Sequence, residues 1–486
     1  MNIPSFFSNK NDILNFDFKN LSSLLHNIPN NSFPIHNLSP HNSNLLENYF
    51  KSILLGYNHV YISSLLKQFN NPSANLCLPL LNQWNDTLQI DNLIIINHPD
   101  DAERICKKHI KKAPIFKSLL NTSIISTTDN EDWSQQRSHM NPAFLPKTSL
   151  ANIFPDSLQR AKLSPELLIK MSSDYSEPVN MSDFFLNETQ AQLQKAMFGF
   201  SDDFEQKTNQ KLRNAFAGIN VDYLNEFTKI ALDETLKSSG PASELFHDSH
   251  DLQQNIGNMI LFAFAGHDTT GHTLTWLLYE LCKHPKYKEK LIHEIDSYWL
   301  NHDEPTYETF HELPYMTQCI IETLRMWPAL ANGTYRELEH DDTIIGHDDS
   351  PVELKKGTYC QIMNWTRHRN PDLWDDPDTF NPEREFHDSE IWDHKGFGGY
   401  NVQSDRFSPF TYGPRNCLGK NFSHMEMRLI LLYLFKNHDF TFEEKQAQTI
   451  HDPKYLGLNT FTMGPADVHG GLLGMYMNIH LRKSKL

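Results

Sequence analysis

Long helical patterns dominate this sequence and constrain its fold more than any other feature. Apolar residues recur at helical spacing over 131–141, 183–198, 210–235, 251–283, 286–299, 313–327 and 420–436. Strand-like patches are few and short, with one over 93–96 and another over 358–363. This combination predicts a mainly α fold with a minor β-sheet.

The chain shows no internal repeat and no low-complexity linker that would separate domains. Residues 1–45 are rich in Asn, Ser, His and Pro, which predicts an irregular N-terminal arm without a membrane anchor. Within the arm, residues 13–25 could form an amphipathic helix on a membrane, or pack on the body of the protein. The polar face carries little Lys or Arg, which favours packing. We predict one large domain over 46–486.

The charge balance disfavours several classes of partner. There are 60 Asp and Glu residues against 43 Lys and Arg, a formal net charge of −17. A field of that sign repels nucleic acid and anionic membrane surfaces. The longest apolar run, 429–435, is far shorter than the roughly 20 residues that span a bilayer, so no transmembrane segment is predicted. Residues 1–30 show no secretory pattern.

The 6 cysteines form no C-x-x-C pair and no disulfide framework. We therefore expect reduced thiols and a cytoplasmic protein, with peripheral membrane association left open.

One cysteine lies in an unusual loop, Phe410-Thr-Tyr-Gly413-Pro-Arg415-Asn-Cys417-Leu-Gly419. The loop precedes an apolar helical run, and helix N-terminal N–H groups are expected to lower the pKa of the Cys417 thiol. The two glycines let the backbone approach something flat, and Arg415 suits a carboxylate. These features describe a seat for haem iron and a haem propionate. A lone cysteine is more often a buried structural residue, but so many specified positions rarely coincide by chance.

A second motif, Ala-Gly-His-Asp-Thr-Thr, occupies 265–270 in the longest helical pattern. Gly266 costs a helix about 1 kcal/mol relative to Ala, which close packing or a functional gap can offset. The Thr269 hydroxyl can bond back to the carbonyl of Ala265 and loosen a turn that could hold water or dioxygen. Asp268 supplies an acid for proton delivery. The alternative is a crossing point between two helices.

Two histidines accompany this motif. His267 and His272 are five positions apart, so we expect them on different helix faces and not as a metal pair.

The cysteine loop resembles the haem-thiolate loop of the cytochromes P450, and further motifs of that family follow in order from about residue 80 to the C-terminus. Thr411 and Ser423 depart from the family pattern by small substitutions. The resemblance implies a P450 fold, a haem domain over 46–486 and haem b held by Cys417. It also implies that Thr269 takes part in proton delivery to oxygen and that Asp268 feeds it.

Charged residues elsewhere match other family motifs. Glu322 and Arg325 form an E-x-x-R pair, and Arg384 lies in a P-E-R segment that Glu385 interrupts. The resemblance implies a structural network of Glu322, Arg325 and Arg384 that braces the cysteine loop.

Trp133 and Arg137 match the family's W-x-x-x-R, which binds the haem propionates, and Arg336 falls where another propionate ligand often stands. The cofactor-binding set implied by the resemblance is Trp133, Arg137, Ala265, Gly266, Arg336, Phe410, Gly413, Arg415, Cys417 and Gly419.

The implied activity is that of a monooxygenase that inserts one atom of O2 into a hydrophobic molecule of the fatty acid, sterol or terpenoid class. Loops within 110–130 and 195–245 and near 460–465 are expected to build its pocket. No Gly-rich dinucleotide fingerprint follows the cysteine, so a separate redox partner is implied, an NADPH-dependent reductase or a ferredoxin. Basic residues on the cysteine side are its candidate contacts: Lys107, Lys108, Lys111, Lys112, Lys420 and Arg428.

Two alternatives remain open at this point. One is a haem-thiolate enzyme that rearranges peroxides, which the intact Asp268-Thr269 pair disfavours. The other is a non-catalytic haem-binding protein.

Overall fold

The structure of the protein is a computed structural model. It describes residues 36–37, 48–49, 52–53, 56–84, 87–116, 120, 122–218, 220–247, 251–310, 312–391, 403–445, 462–465 and 474–482. The predicted arm over 1–45, including the stretch 13–25, lies almost entirely outside the described residues.

Helices form most of the described structure, which confirms the predicted fold class. Eleven of them carry labels here: α1 Asn58–Gln68, α2 Pro99–Lys108, α3 Asn130–Met140, α4 Ala151–Met171, α5 Met181–Gln192, α6 Asp202–Gly218, α7 Val221–Thr235, α8 Leu252–Lys283, α9 Pro285–Asn301, α10 Pro314–Met326 and α11 Lys420–Asn437. Shorter α-helical segments cover Pro241–Glu244 and Asn364–His368. Within the described ranges, no helix combines the length and apolar content that crossing a bilayer requires.

The strands form three small sheets. They are β1 His36–Asn37, β2 Leu76–Trp84, β3 Thr87–Ile96, β4 Val179–Asn180, β5 Thr334–Glu337, β6 Asp342–Ile345, β7 Pro351–Leu354, β8 Tyr359–Ile362, β9 His438–Phe442 and β10 Tyr476–Leu481. The 5-stranded sheet has the order β1-β2-β3-β8-β5, the 3-stranded sheet the order β4-β10-β9, and β6 pairs with β7. The two predicted strand patches are the parallel neighbours β3 and β8, with Leu93 opposite Tyr359.

Some helices differ from those predicted from the sequence. The pattern over 210–235 was expected to be one helix, but α6 ends at Gly218 and α7 begins at Val221. The side chain of Asn220 caps α7 by accepting a hydrogen bond from the Tyr223 N–H, which starts a new helix. Helix α4 was not predicted, because Pro155 and Pro165 inside it are typical of a helix break. Helices α1 and α2 were also missed.

Helix α8 runs through the centre of the fold and packs against α5, α7, α10, α9 and α11. The carboxylate of Asp251 caps its first turn by accepting from the N–H groups of Gln253 and Gln254. Two glycines permit its close contact with the segment around α5. A Cβ on Gly266 would lie 2.6 Å from the Leu193 side chain, and one on Gly271 would lie 3.0 Å from the Leu186 backbone. Close packing thus offsets the helical cost of these glycines.

Candidate functional site

An apolar cavity of about 330 Å³ lies between α8 and the loop that carries Cys417. Aliphatic and aromatic side chains make up most of its wall, including Phe116, Phe144, Phe216, Phe262 and Phe264. Two of the segments expected to build the pocket contribute lining residues: Lys112, Ile115, Phe116, Leu120, Ile124 and Ile125 from the first, and Phe216 and Leu224 from the second. A cavity of this composition suits an apolar ligand.

The cysteine loop is fixed by its own backbone and by helix α3. The Cys417 N–H donates to the Phe410 carbonyl at 2.9 Å. From α3, Arg137 donates through Nη1 to the Asn416 carbonyl at 2.7 Å and through Nη2 to the Asn416 side-chain Oδ1 at 2.8 Å. The side chain of Cys417 is accessible, and Cys417 is one of the residues that line the cavity.

Burial raises the pKa of the Cys417 thiol. The backbone N–H groups of Gly419 and Lys420 and the charge of Arg137 act in the opposite direction but are outweighed. The N–H groups at the helix start thus act on the pKa in the expected direction, but the expected net lowering is wrong for the free thiol, because desolvation of the anion dominates. A metal at this position would stabilise the thiolate directly.

The two glycines of the loop have different roles. Gly413 has a φ of +63°, which a glycine adopts without strain, and it lies against the backbone of Cys106 and Lys107 rather than at the cavity wall. Gly419 lines the cavity, and a Cβ there would meet only the ring of Phe144 at 4.0 Å. Gly413 shapes the turn, and Gly419 leaves the cavity floor bare.

On the opposite wall, Ala265, Gly266 and Thr269 of α8 face the cavity. The Thr269 hydroxyl donates to the Ala265 carbonyl at 2.9 Å, as the sequence predicted. Such a hydrogen bond competes with the helical N–H for the Ala265 carbonyl and weakens the backbone hydrogen bond at this turn. The structure thus brings Thr269 and Cys417 to one cavity from opposite walls.

Asp268 lies in a different place. Its carboxyl is buried and lines a second cavity of about 150 Å³, together with His267 and His272. Oδ2 of Asp268 accepts a hydrogen bond from the Thr462 hydroxyl. Burial raises the pKa of Asp268 to about 7, although the Thr462 hydrogen bond opposes this. Both histidines line this cavity, although five positions separate them in α8.

Buried and half-buried cations gather beside the first cavity. Lys112, Arg137 and Arg415 line it, whereas Arg336 is buried outside the set of lining residues. The Arg415 guanidinium lies 4.4 Å from the ring centroid of Trp133, which also faces the cavity. Burial, followed by the charge of Arg336, lowers the pKa of Arg415 to about 9.

The residues present fit haem b. Nε and Nη2 of Arg336 and Nε of Arg415 have no hydrogen-bond partner among the described residues, although all three atoms are buried. Buried cationic donors without acceptors are costly unless an anion completes them. A thiol that faces an apolar cavity beside such cations matches an iron ligand and two propionate carboxylates.

The predicted structural network is present. Arg325 donates to Glu322 through Nε at 2.7 Å and Nη2 at 2.8 Å, and Nε of Arg384 lies 3.4 Å from Glu322 Oε1. Glu322 and Arg325 are completely buried, so they are no ordinary surface pair. Nη1 of Arg325 also donates to the carbonyls of His368 and Pro377, which ties α10 to the segment before the cysteine loop.

The candidate contacts for a redox partner divide into two groups. Lys107 and Lys108 at the end of α2 are exposed, and Lys111 and Lys420 are partly exposed. Arg428 and Lys112 are buried, and they donate to the Phe310 carbonyl and the Thr334 hydroxyl. These two cannot contribute to a docking surface.

Sequence reasoning missed two residues at the first cavity. Lys112 was placed in a surface cluster because nothing local distinguishes it from the neighbouring lysines. Glu426 of α11 was not noticed at all, although it is buried and lines the cavity. Burial raises its pKa well above the ordinary range, with the Thr270 hydroxyl opposing the shift.

This fold and this site define a haem-thiolate protein, and comparison with known proteins places the chain. The family model described as Cytochrome P450 matches residues 162–463, more than half of the chain. The chain belongs to the cytochrome P450 family, whose members are haem-thiolate monooxygenases that bind haem b through a cysteine thiolate.

Mammalian relatives share part of the sequence. Cytochrome P450 3A12 of Canis lupus familiaris is 35% identical over 190 residues, which are 38% of this chain and 34% of that protein. Cytochrome P450 3A28 of Bos taurus is 27% identical over 370 residues, 65% of this chain and 69% of the relative. Cytochrome P450 3A5 of Homo sapiens is 26% identical over 372 residues, with shares of 65% and 70%. The chain thus aligns with about a third of the length of the dog protein.

Proposed function

We propose that this chain is a monooxygenase that inserts one oxygen atom from O2 into a hydrophobic organic molecule, with electrons from a separate reductase. The observation that carries the proposal is that Cys417 and Thr269 line one apolar cavity from opposite walls. A thiolate ligand favours O–O cleavage, and a hydroxyl beside the reacting centre can hold a proton donor in place. Bound haem b supplies the oxygen-activating chemistry.

The remaining residues have supporting roles in this proposal. Arg137, Arg336 and Arg415 would neutralise the propionates, and Trp133 would hold Arg415 by its ring face. The aromatic wall would exclude water and hold the substrate. Asp268 would feed protons to Thr269 from behind the helix. Phe410, Gly413 and Gly419 would shape the cysteine loop, while the small residues Ala265 and Gly266 would leave room in the cavity for the cofactor.

The substrate we propose is a fatty acid, a sterol or a terpenoid. The wall between Phe116 and Phe264 is apolar and aromatic, which supports a hydrophobic substrate. A spin-state titration of the ferric protein against members of the three classes would rank them.

The redox partner we propose is an NADPH-dependent reductase or a ferredoxin that docks beside α2 and the start of α11. Lys107, Lys108, Lys111 and Lys420 supply accessible positive charge for that contact. Charge reversal at Lys107 and Lys108 should slow reduction, and the effect should shrink at high salt.

The first test is spectroscopic. The purified protein, loaded with haem, is reduced and exposed to carbon monoxide, and the far-red-shifted Soret band of thiolate ligation is expected. Cys417→Ala should abolish that band, whereas Cys360→Ala, which removes a buried thiol in β8, should leave it unchanged. An unshifted Soret band in the wild type, or a Cys417→Ala protein that retains the band, would overturn the proposal.

The second test separates the three activities. Substrate oxidation that requires both NADPH and a reductase supports the monooxygenase. Peroxide consumption without NADPH and a reductase identifies a peroxide-rearranging enzyme. A thiolate-type carbon monoxide spectrum with neither activity identifies a non-catalytic haem-binding protein.

A further inference from the structure

Titratable groups from several elements line the second cavity around Asp268. Besides Asp268, His267 and His272 of α8, it is lined by Arg213 of α6 and by Asp183 near the start of α5. Arg213 is paired with Asp183 at 2.5 Å, and the Asp183 side chain is 43% exposed. This cavity therefore extends from a partly solvated ion pair to the buried Asp268.

Thr462 joins Asp268 to His272. The Thr462 hydroxyl donates to Oδ2 of Asp268, and the Thr462 hydroxyl oxygen lies 2.8 Å from Nδ1 of His272. Nδ1 of His272 is 3.9 Å from Oδ1 of Asp268, so no direct hydrogen bond replaces the hydroxyl. The three groups form a continuous chain in which a hydroxyl stands between an acid and an imidazole.

The segment that carries Thr462 is held firmly against α8. The Trp276 indole donates to the Met463 carbonyl at 2.6 Å, and the Met463 N–H donates to the Ala329 carbonyl at 3.0 Å. A Cβ on Gly464 would lie 2.5 Å from Nε2 of His272. The absence of a side chain at Gly464 leaves room around that nitrogen.

We propose that His272 and Thr462 form a proton relay that delivers protons from the second cavity to the carboxyl of Asp268. Its role in catalysis rests on the proposed monooxygenase function.

Each step of the relay conserves protons. In the starting state the Asp268 carboxylate accepts from Thr462, and Thr462 accepts from the Nδ1–H of neutral His272. A hydronium ion in the second cavity gives a proton to Nε2 of His272 and is left as water. The Nδ1 proton then passes to the Thr462 oxygen while the Thr462 proton passes to Asp268. The chain ends as a protonated acid, a hydroxyl and an Nε2–H imidazole.

The surroundings set the direction of transfer. Burial and the neighbouring His267 lower the pKa of His272 to about 3, while burial raises the pKa of Asp268 to about 7. Burial, together with the charge of Arg213, lowers the pKa of His267 to about 4. A proton on His272 therefore passes downhill to Asp268, and both imidazoles are neutral at rest.

The test follows the C=O stretching band of protonated Asp268 by infrared spectroscopy of the ferric holoenzyme, assigned by its loss in Asp268→Asn. Thr462→Val should move the band to higher frequency and raise its pH midpoint, because the carboxylate loses a hydrogen bond. His272→Asn retains a donor near the Nδ1 position but cannot exchange tautomers. After a pH jump, its band should form more slowly by about a hundredfold.

A matched control lies on the same helix. Thr275→Val removes a buried hydroxyl that donates to the Gly271 carbonyl at 2.8 Å, and it should leave the band as in the wild type. If Thr462→Val does not fold, Gly464→Ala displaces the His272 ring and should slow band formation in the same way. The relay is wrong if these variants match the control.

The measurement needs neither substrate nor electrons, so it is independent of the proposed activity. A responsive band without substrate oxidation would overturn the monooxygenase alone. Oxidation with an unresponsive band would overturn the relay alone.

Discussion

Both terminal nitrogens of the Arg137 guanidinium donate hydrogen bonds to Asn416, the residue that precedes Cys417 in the chain. A residue on α3 thereby fixes the backbone of the loop that carries the iron ligand. Bidentate donation of this kind depends on the planar fork of arginine, which lysine lacks. The same side chain lines the cavity, so it can meet a propionate and brace the loop.

Arg137→Lys should therefore weaken haem retention while preserving the charge. The loss of one or two charged hydrogen bonds corresponds to about 1.5–3 kcal/mol each. We expect faster haem transfer to an acceptor protein and a lower melting temperature of the holoenzyme. Lys147→Arg, at an exposed position, is the control and should change neither quantity. Wild-type haem transfer in Arg137→Lys would show that the contact to Asn416 does not hold the loop.

Replacing Arg336 should stabilise the haem-free protein and weaken haem binding in the haem-bound protein. The buried Nε and Nη2 of Arg336 lack partners among the described residues, and burial lowers its pKa. Replacing an uncompensated buried charge with an apolar side chain of similar length removes a desolvation penalty. Arg336→Met should raise the denaturant midpoint of the apoprotein and accelerate haem loss from the holoprotein. Parallel changes in both forms would exclude a propionate contact.

Asp268 should make stability depend on pH. The pKa of its carboxyl is about 7 in the folded protein, against an ordinary value of 3.8. The unfolded state therefore releases its proton first, and folding loses stability as pH rises from about 4 to about 7. The loss is of the order of a few kcal/mol, since one pKa unit corresponds to about 1.4 kcal/mol.

Urea unfolding of the wild type and Asp268→Asn at pH 5 and pH 8 measures this effect. Asparagine cannot ionise, so the stability of the variant relative to the wild type should increase between the two pH values. An unchanged difference would mean that Asp268 titrates near its ordinary pKa in the fold.

The site residues illustrate what a sequence can predict. Thr269 and Ala265 share a helix face by their spacing alone, and the hydroxyl bond between them follows from local geometry. The position of Asp268 depends on Thr462, which is 194 residues away in the chain, and no local pattern encodes that contact. Lys112 is similar, because its burial against Thr334 arises from packing between distant segments. Short-range periodicity thus predicted elements and motifs, whereas long-range contacts decided which side chains meet.

The glycines of α8 give a last prediction, because the partner atoms differ between them. A Cβ on Gly257 would lie 2.3 Å from the backbone carbonyl oxygen of Leu120, whereas one on Gly266 would meet the ends of the Leu193 side chain. A side-chain end can rotate away, but a backbone carbonyl can move only with its segment. Gly257→Ala should therefore destabilise the protein by about 1–3 kcal/mol through overpacking.

In Gly266→Ala the helix gains about 1 kcal/mol in propensity, which should offset the movement of Leu193. Urea unfolding of the two variants side by side checks this order. Because Gly266 also lines the first cavity, its variant should narrow that space and weaken substrate-induced spin shifts. Equal destabilisation by the two substitutions would mean that Leu193 is held as rigidly as the backbone, and that this part of α8 has no freedom to adjust.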